Sequence, residues 1–325
     1  MPSAAPLVHI VRSGLRESVH LGHIAVCDHE GSLVASVGDP MHQLFSRSCL
    51  KPLQAAVSLR RIDEPLPADL IAVMCASHNG EPVHVRAVRQ LLRRAGVLET
   101  ALGCPADLPM HPEERRTPRR PRRVFHNCSG KHAGMLLACE RSGADLDSYL
   151  RPSHPLQRAI ARAVERATGT DPQIGVDGCG APVHGLPLAG LATLFARLAR
   201  PERLGALAEP AATAVAAMRA HPYLVAGARR SDTVLMTEVP NLICKVGAEG
   251  LQCAAILDAG LGVAVKIADG GDRAAGPALV RTLAILGAVN DERFDRLARV
   301  ARPPVLGGGR PVGEMVAGFR LRRPV

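Results

Sequence analysis

The chain has 325 residues, of which 47% are apolar and 2% aromatic, and its formal net charge is +10. This length allows one elaborated domain or two, and the composition excludes a disordered or low-complexity protein. The sequence shows neither a signal-peptide pattern at its start nor an uncharged apolar run of about 18 residues, which predicts a cytoplasmic protein without a membrane span.

Two predicted hairpins lie near the ends of the chain. In "GHIAVCDHEGSLVASVGD" two β-branched segments flank a turn at positions 28–31, and "GLQCAAILDAGLGVAVKIAD" repeats the pattern with a turn around 258–262. Apolar spacing predicts helices in "PVHVRAVRQLLRRAG", "GKHAGMLLACERSG", "HPLQRAIARAVERATG" and "LPLAGLATLFARLAR" between the hairpins, and in "DRAAGPALVRTLAILGAV" after the second one.

These elements predict an α/β protein of the α+β type. An antiparallel sheet formed by the N- and C-terminal parts of the chain, about 1–45 and 240–325, would carry a largely helical insertion at about 46–239. The insertion contains an Arg/Pro loop at 109–124. Because no repeat and no clean linker is visible elsewhere, we predict a single catalytic domain over 1–325.

The positive charge is concentrated in the Arg/Pro loop. Six arginines fall between positions 115 and 123, within "RRTPRRPRR". Proline prevents a regular helix there, and a chain with no Trp and two Tyr offers few rings for stacking bases. A solvated surface loop is therefore favoured over a nucleic-acid contact.

Lysine is rare in this chain. Only four of the 40 basic residues are lysines, at positions 51, 131, 245 and 266, and the others are arginines. Arginine is never deprotonated in a protein, whereas a buried lysine amine can lose its proton and act as a base or a metal ligand. The four lysines are therefore the first candidates for chemistry.

The first lysine belongs to a Ser48-x-x-Lys51 spacing in "FSRSCLKP". A helix from Cys49 would place Lys51 one turn from Ser48, where a neutral amine could take the proton of the serine hydroxyl. The alternative is that Ser48 is an ordinary helix N-cap.

Two later stretches favour the catalytic interpretation. "CASHNGEP" presents Ser77-His78-Asn79 after an apolar run, and "CKVGAEG" presents Lys245-x-Gly247 before the second hairpin. The order S-x-x-K, S-x-N, K-x-G is typical of penicillin-binding proteins and serine β-lactamases. The sequence therefore predicts an active-serine enzyme with that fold.

Six stretches together resemble the asparaginase II family, the Rhizobium-type L-asparaginases. They are "SRSCLKPLQA", "ASHNGEPVHV", "HNCSGKHAGML", "DGCGAPVHGLPL", "HPYLVAGARRSDT" and "KVGAEGLQCA", and they cover nearly the whole chain. The resemblance implies a homodimeric amidohydrolase with a serine β-lactamase-like fold, which releases ammonia from L-asparagine. It also implies two catalytic pairs and one zinc ion per chain: Ser48 with Lys51, Ser77 with Lys245, and zinc held by Cys128, Lys131 and Cys179.

The implied zinc site agrees with general chemistry. Thiolates suit Zn²⁺, and C-x-x-K brings two side chains together at a helix start. A lysine ligand must be neutral, and the cation itself lowers the lysine pKa. The alternative is that Cys128 and Cys179 are reduced, buried thiols like the rest of the nine scattered cysteines. Other candidate ligands near these motifs are His126, His132 and His184.

The groups that would bind the substrate are less specific. Candidates for the carboxylate, amide and amine of asparagine are Arg47, His78, Asn79, Asp177 and Glu249. Lys266 is favoured as an ordinary strand lysine facing Asp269 over a second cation of the site. Val246 stands where many relatives of the wider superfamily have a hydroxyl residue, which removes one hydrogen bond to a substrate carboxylate.

Two alternative functions remain open at this point. The first keeps the fold and changes the substrate, giving a glutaminase, a β-lactamase or a peptidase-like acyl transferase. The second is a basic, non-enzymatic protein that binds polyanions through the 115–123 arginines, with the serine and lysine positions as relics.

Overall fold

The computed structural model of the chain describes residues 3–116 and 120–324. Arg119, one of the six arginines of the Arg/Pro loop, lies outside the described residues. The chain divides into two compact units. The sheet unit comprises Met1–Leu44, Leu186–Arg200 and Val234–Val325, and the helical unit comprises Phe45–Gly185 and Pro201–Thr233.

The strands follow one another along the chain as β1 (Ala5–Arg12), β2 (Leu15–Asp28), β3 (Leu33–Val37), β4 (Gln43–Phe45), β5 (Gln173–Val176), β6 (Pro182–Pro187), β7 (Leu242–Gly247), β8 (Leu251–Ile256), β9 (Leu261–Ile267), β10 (Pro304–Gly307) and β11 (Arg310–Ala317). The helices are α1 (Lys51–Leu59), α2 (Ala68–Met74), α3 (Pro82–Arg94), α4 (Ser129–Arg141), α5 (Pro155–Thr168), α6 (Leu188–Ala199), α7 (Ala208–Ala220), α8 (Pro222–Val225), α9 (Ser231–Glu238), α10 (Asp272–Ile285), α11 (Asp291–Arg296) and α12 (Ala298–Ala301).

The sheet of the sheet unit is antiparallel and has the strand order β10-β11-β1-β2-β9-β8-β7, with β3 paired to β2. At its centre β2 pairs with β9, and Val26 lies opposite Val263. Strands from the two ends of the chain are therefore neighbours, which confirms the predicted architecture. Both predicted hairpins are present, as β2–β3 and β8–β9.

Helix α6 packs against the sheet. Gly262 in β9 makes this contact possible, because a Cβ there would lie 1.9 Å from the carbonyl oxygen of Ala192 in α6. The sequence assigned α6 to the helical insertion, whereas the structure places the segment Leu186–Arg200 in the sheet unit. The extent of a single catalytic domain stays a prediction.

The helical unit is built around α4, in which every residue from Ser129 to Cys139 is buried. α4 packs against α1, α2 and α3. At Gly130 a Cβ would lie 2.1 Å from the carbonyl oxygen of Val73 in α2, so the two helices touch through backbone. This contact fixes the beginning of α4, where the Cys-Ser-Gly-Lys-His stretch lies.

The Arg/Pro loop has no regular helix in its described part. It carries short 3-10 turns at Glu114–Arg116 and Arg123–Phe125. Arg122 forms an ion pair with Glu99, and Arg123 donates to the carbonyl oxygens of Leu102 and Cys104. Among the described residues, each helix is too short or too polar to cross a membrane.

Candidate active site

Lys51, the first residue of α1, is only 1% exposed. Its Nζ donates hydrogen bonds to the Oγ of Ser77 at 2.9 Å and to the carbonyl oxygen of Ala76 at 2.5 Å. Ser77 follows α2, and its backbone N–H donates to the carbonyl oxygen of Val225 at 2.9 Å, which holds the segment in place. The amine of Lys51 and the hydroxyl of Ser77 are therefore at proton-transfer distance.

Ser48 lies in a 3-10 turn, Arg47–Leu50, directly before α1. The N-cap position of the turn is Ser46 and that of α1 is Leu50, neither with a side-chain cap hydrogen bond, so the alternative that Ser48 is a helix N-cap is wrong. Ser48 is half-buried. A hydrogen bond between its hydroxyl and the Lys51 amine stays a prediction.

The backbone is unusual immediately before Ser48. Arg47 has a φ of 43°, in the left-handed region that side chains other than glycine rarely adopt. Its Nε donates to Oδ1 of Asp177 at 2.8 Å, and the two side chains are 26% and 11% exposed. Strained backbone is concentrated at functional sites, because the surrounding structure must hold it there. The ion pair with Asp177 is one such restraint.

Asp177 belongs to the glycine-containing turn between β5 and β6. Its N–H donates to the carbonyl oxygen of Ala181 at 2.9 Å, and the N–H of Gly180, at a φ of 82°, donates to the carbonyl oxygen of Asp177 at 2.8 Å. Burial opposes ionisation of the Asp177 carboxyl, but the charges of Lys131 and Arg47 hold its pKa below the usual range. The turn therefore presents a carboxylate at neutral pH.

Two thiols and an amine meet beside this turn. Nζ of Lys131 donates to Sγ of Cys179 at 3.1 Å. A hydrogen bond from the Cys179 thiol lowers the pKa of Cys128 far below its usual range, and the charges of Lys51 and Lys131 act in the same direction against burial. Burial opposes the charge of Lys131, but the two sulfur groups outweigh it and raise the lysine pKa. The neighbouring positive charges therefore favour the thiolate form of Cys128, and the sulfur groups favour the ammonium form of Lys131.

The donor chemistry of these three side chains fits a zinc ion. Among the described residues no group of three His, Cys, Asp or Glu side chains is placed to hold a metal, so a site here needs the lysine as its third donor. Lys131 would have to release its proton, which a bound cation favours. The distance of 3.1 Å between Nζ and Cys179 Sγ is that of a hydrogen bond, and tetrahedral zinc would separate these atoms to about 3.6 Å.

Three histidines lie near the thiols: His132 and His184 are buried, and His126 is half-buried. Nδ1 of His126 accepts from the N–H of Cys128 at 3.0 Å. Nδ1 of His132 lies 2.6 Å from the Tyr149 hydroxyl oxygen, which accepts from the N–H of Gly103 at 2.7 Å. Neither ring nitrogen of His184 has a hydrogen-bond partner among the described residues. Burial lowers the pKa of His184 to about 4, and the Lys131 charge adds to this effect.

We expect His184 to make the protein sensitive to acid. The unfolded chain binds a proton on this histidine near pH 6.5, whereas the folded chain resists it down to about 4. The contribution of neutral His184 to the free energy of unfolding is therefore complete above pH 6.5 and is lost as the pH falls toward 4. At pH 4.5 the loss amounts to roughly 2–3 kcal/mol. Urea unfolding at pH 7.5 and pH 4.5 measures this, and His184→Gln should reduce the difference between the two conditions. The half-exposed His29, replaced by Gln, is the control, and equal pH dependence in all three proteins would contradict the expectation.

His78 is completely buried and has both ring nitrogens engaged inside the helical unit. Its Nδ1 accepts from the N–H of Gly80 at 3.1 Å, so the neutral ring carries its proton on Nε2 and donates to Oγ of Ser129 at 3.0 Å. The Ser129 hydroxyl in turn donates to the carbonyl oxygen of Val124 at 2.9 Å. His78 thus links the Ser77–Asn79 segment to the first residue of α4.

The sequence did not single out the network around Asn79. Nδ2 of Asn79 donates to Oε1 of Glu81 at 3.0 Å, and Nη1 of Arg230 donates to Oδ1 of Asn79 at 3.1 Å. Glu81 also accepts from the Tyr223 hydroxyl and from the N–H of Ala228. The only sequence signal was the acidic residue in "SHNGEP", two positions after the asparagine. This network holds the amide of Asn79 in one orientation.

Lys245 and Glu249, two further predicted site residues, lie in the sheet unit. Lys245 is completely buried in β7, and its Nζ donates to the carbonyl oxygen of Val246 at 2.9 Å. Glu249 adopts a φ of 64° in the turn between β7 and β8. Lys266 donates to the carbonyl oxygens of Glu249 at 2.7 Å and Ile267 at 2.5 Å, while the carboxylate of Asp269 accepts from His20. The pairing of Ser77 with Lys245 stays a prediction.

Comparison with known proteins identifies one family. The sequence model described as L-asparaginase II matches residues 8–317, which is the family that the six sequence stretches resemble. No curated protein sequence matches the chain significantly.

Several solved structures are similar in fold. A β-lactamase from Mycobacterium bovis is 19% identical, with 82% of this chain and 94% of that chain covered and a TM-score of 0.39. A Bacillus glutaminase in 4.3 M NaCl is 13% identical, with coverages of 82% and 91% and a TM-score of 0.43. The covalent complex of a Bacillus subtilis glutaminase with 5-oxo-L-norleucine is 14% identical, with coverages of 87% and 92% and a TM-score of 0.41.

Proposed function

This chain belongs to the L-asparaginase II family and is an amidohydrolase, and we propose that it hydrolyses L-asparagine to L-aspartate and ammonia. The observation that best supports the chemistry is the buried Lys51 amine, 2.9 Å from the Ser77 hydroxyl. A lysine enclosed in this way can serve as a base toward a serine, which an arginine cannot.

In the proposed reaction Ser48 is the nucleophile. Lys51 takes the proton of the Ser48 hydroxyl, the oxygen bonds to the side-chain amide carbon of asparagine, and the carbon–nitrogen bond breaks. Ser77 and Lys245 pass a proton to the departing amine, so that it leaves as ammonia. Water then attacks the ester carbon of the acyl-enzyme and gives a proton to the Ser77–Lys245 pair, while the Ser48 oxygen leaves with the proton held by Lys51 and the aspartate product is released. Ser77 is the second candidate nucleophile because of its contact with Lys51, and mass spectrometry of an acid-trapped adduct would locate the acyl group.

Arg47 and Asp177 are the proposed anchors of the amino acid. The guanidinium of Arg47, whose Nε donates to Asp177, suits a substrate carboxylate by its charge. The ionised Asp177 carboxyl suits an α-ammonium group. His78, Asn79 and Glu249 are proposed as further residues that bind the polar groups of the substrate.

Cys128, Lys131 and Cys179 are the proposed holders of zinc. A metal bound there would supply positive charge near Asp177 and a position for a polar substrate group. For such a site the neighbouring charges favour the thiolate form of Cys128, and the fold places Nζ of Lys131 3.1 Å from Sγ of Cys179.

Replacing Cys128 with Ala should reduce bound zinc from about one ion per chain to nearly none, because one thiolate donor is lost. Elemental analysis after zinc loading and desalting measures this. Cys139→Ala is the matched control, since this thiol lies on α4 as well and burial raises its pKa to about 11, which keeps it protonated. A wild-type chain without zinc at saturating supply would contradict the site.

The proposed activity is tested by ammonia release from L-asparagine and L-glutamine, with a chromogenic β-lactam in parallel. We expect asparagine to be the best substrate, and Ser48→Ala to lower kcat by about 10³-fold or more. Ser58→Ala is the control, because its hydroxyl only donates to the carbonyl oxygen of Gln54 within α1. Faster turnover of glutamine or the β-lactam would favour the alternative acyl-transfer enzymes, and unchanged turnover by Ser48→Ala would exclude Ser48 as the nucleophile.

A homodimer and a cytoplasmic location remain proposals that rest on the family and on the sequence. Sedimentation velocity of the purified chain tests the first of them directly.

A further inference from the structure

The helical unit has a surface cleft of about 570 Å³ beside α3. Residues of α3 line it together with Pro109 and Phe125, which belong to two later segments of the chain. Gly80 lines it as well, at a φ of 75°, and a Cβ there would lie 3.0 Å from the carbonyl oxygen of Phe125 and 3.1 Å from Cα of Pro109. Because position 80 is a glycine, three segments of the helical unit can meet at this cleft.

Backbone hydrogen bonds hold the loop side of the cleft in place. The N–H groups of Met110 and His111 donate to the carbonyl oxygen of Asn79 at 2.8 and 3.1 Å, and the N–H of Arg115 donates to that of His111 at 2.9 Å. Glu114 lines the cleft from within this anchored segment. A ligand would therefore meet a wall that is already formed.

Apolar side chains line the inner part of the cleft. Val85 and Pro109 are buried, and the ring of Phe125 is half-buried. Pro82, at the beginning of α3, extends this apolar surface outward. The volume is within the range of small-molecule pockets, so the cleft suits a ligand with a large apolar part.

Charges of both signs border this apolar surface. Arg86, Arg89 and Arg93 succeed one another at intervals of three and four residues, so they share one face of α3. Nη2 of Arg89 lies 4.0 Å from Oε2 of Glu99. Arg86, Arg93 and Glu114 have no hydrogen-bond or ion-pair partner within residues 3–116 and 120–324. Two guanidinium groups and one carboxylate are therefore free to contact a ligand.

The lining of the cleft contains no group for covalent catalysis. Among the residues that the structure describes, it includes no Ser, Thr, Cys, Lys, His or Tyr. None of the predicted catalytic, substrate-binding or zinc-binding residues belongs to it either. The cleft is therefore suited to binding and not to a second reaction.

We propose that this cleft binds a zwitterion with a large apolar side chain, supplied by a free amino acid or by a short apolar peptide. The carboxylate pairs with the free guanidinium groups of Arg86 and Arg93, and the ammonium pairs with Glu114. The apolar side chain covers Val85 and Phe125. A polyphosphate or a nucleic-acid strand is disfavoured, because Glu114 would repel it and the lining has a single aromatic ring.

Calorimetric titration of the full-length chain with L-phenylalanine tests the proposal. We expect a Kd of about 0.1–1 mM, and binding weaker by about fivefold or more for phenylpropionate, which lacks the ammonium, and for phenethylamine, which lacks the carboxylate. L-Leucyl-L-phenylalanine distinguishes the two sources, since a peptide binds more tightly than the amino acid only where the two charges are held apart. Saturating L-aspartate, the product of the proposed reaction, is present throughout to block the proposed active site.

Replacing Glu114 separates a zwitterion site from a simple anion site. Glu114→Gln should weaken the binding of L-phenylalanine by about fivefold or more and leave that of phenylpropionate within about twofold. The control is Glu113→Gln, which makes the same change at the exposed neighbouring residue outside the cleft and should leave both affinities within about twofold. Equal losses in the two variants would contradict the assigned role of Glu114.

Replacing the arginines tests the carboxylate contact. The double variant Arg86→Gln/Arg93→Gln should weaken the binding of L-phenylalanine and phenylpropionate by about tenfold or more. Both side chains are exposed, so the fold should be retained. The matched control is Arg94→Gln/Arg158→Gln, two exposed arginines of the helical unit outside the cleft, with an expected change within about twofold. Equal weakening by both double variants would indicate a general charge effect.

Three further outcomes would overturn the proposal. No saturable binding of L-phenylalanine or the dipeptide at about 10 mM would exclude the site. Equal affinity of the wild-type chain for L-phenylalanine and phenylpropionate would exclude a zwitterion as the ligand. Binding that disappears in saturating L-aspartate would place the ligand in the proposed active site. None of these results depends on the rate of asparagine hydrolysis.

Discussion

Replacing Lys51 with Met is expected to lower kcat/KM for ammonia release by about 10³-fold or more, with the fold retained. Methionine fills a similar volume without a polar atom, so the buried position stays packed. The hydroxyl of Ser77 loses the amine that contacts it at 2.9 Å, and the proposed nucleophile loses its base. Steady-state kinetics with circular dichroism as a folding check measures both parts of the expectation.

The matched variant Lys51→Arg separates two roles of this lysine. If Lys51 only supplied positive charge, for example toward the thiolate of Cys128, arginine would keep much of the activity. If Lys51 is a base, arginine fails as completely as methionine, because a guanidinium does not give up its proton. We expect the second result. Activity above about one tenth of wild type in Lys51→Arg would show that the amine is not the base.

Replacing Gly130 with Ala is expected to destabilise the helical unit by about 3 kcal/mol or more. The new Cβ would lie 2.1 Å from the carbonyl oxygen of Val73 and 2.9 Å from its carbonyl carbon, and neither backbone atom moves without shifting α2. Because Cys128 and Lys131 flank this glycine, zinc binding and activity should fall together with stability. Urea unfolding at pH 7.5 gives the change in free energy.

The control for this prediction is one helical turn further along α4. At Gly134 a Cβ would lie 2.7 Å from Cγ and 2.8 Å from Cε of the buried Met74, so a side chain and not the backbone would have to repack. Alanine also gains about 1 kcal/mol of helix propensity over glycine, which offsets part of the clash. We expect Gly134→Ala to lower stability by less than about 1 kcal/mol. Similar losses in both variants would mean that backbone contact is not what distinguishes Gly130.

The two hairpins of the sheet and five of the helices could be predicted from local patterns. Turn residues bounded both hairpins, and α3, α4, α5, α6 and α10 each had clear apolar spacing. Strands β1, β7, β10 and β11 of this sheet were not predicted. For β10 and β11 the reason is that "PPVLGGGRPV" contains prolines and glycines, which indicate a loop in isolation. The location of α6 could not be predicted either, since it depends on the contact of Gly262 with Ala192, which has no local signature.

The sequence identified residues of the candidate site but not the contacts between them. The rarity of lysine led to Lys51 and Lys131, and both lie buried at polar clusters. The spacing suggested Ser48 as the partner of Lys51, whereas the described contact is with Ser77, 26 positions away. A short spacing shows that two residues are close along the chain, but it does not show which side chains are in contact. Long-range contacts such as that of Glu81 with Tyr223 and Ala228 require the fold.

The hydrogen bonds of His78 have a consequence for how this region opens. The chain of donors from Gly80 through His78 and Ser129 to Val124 runs in one direction, so no single bond can be released without leaving a buried donor or acceptor unsatisfied. The Ser77–Asn79 segment and the first turn of α4 therefore belong to one cooperative unfolding unit. Local opening would remove the serine–lysine contact and the thiol cluster together, and the chain would not populate a state with only one of them intact.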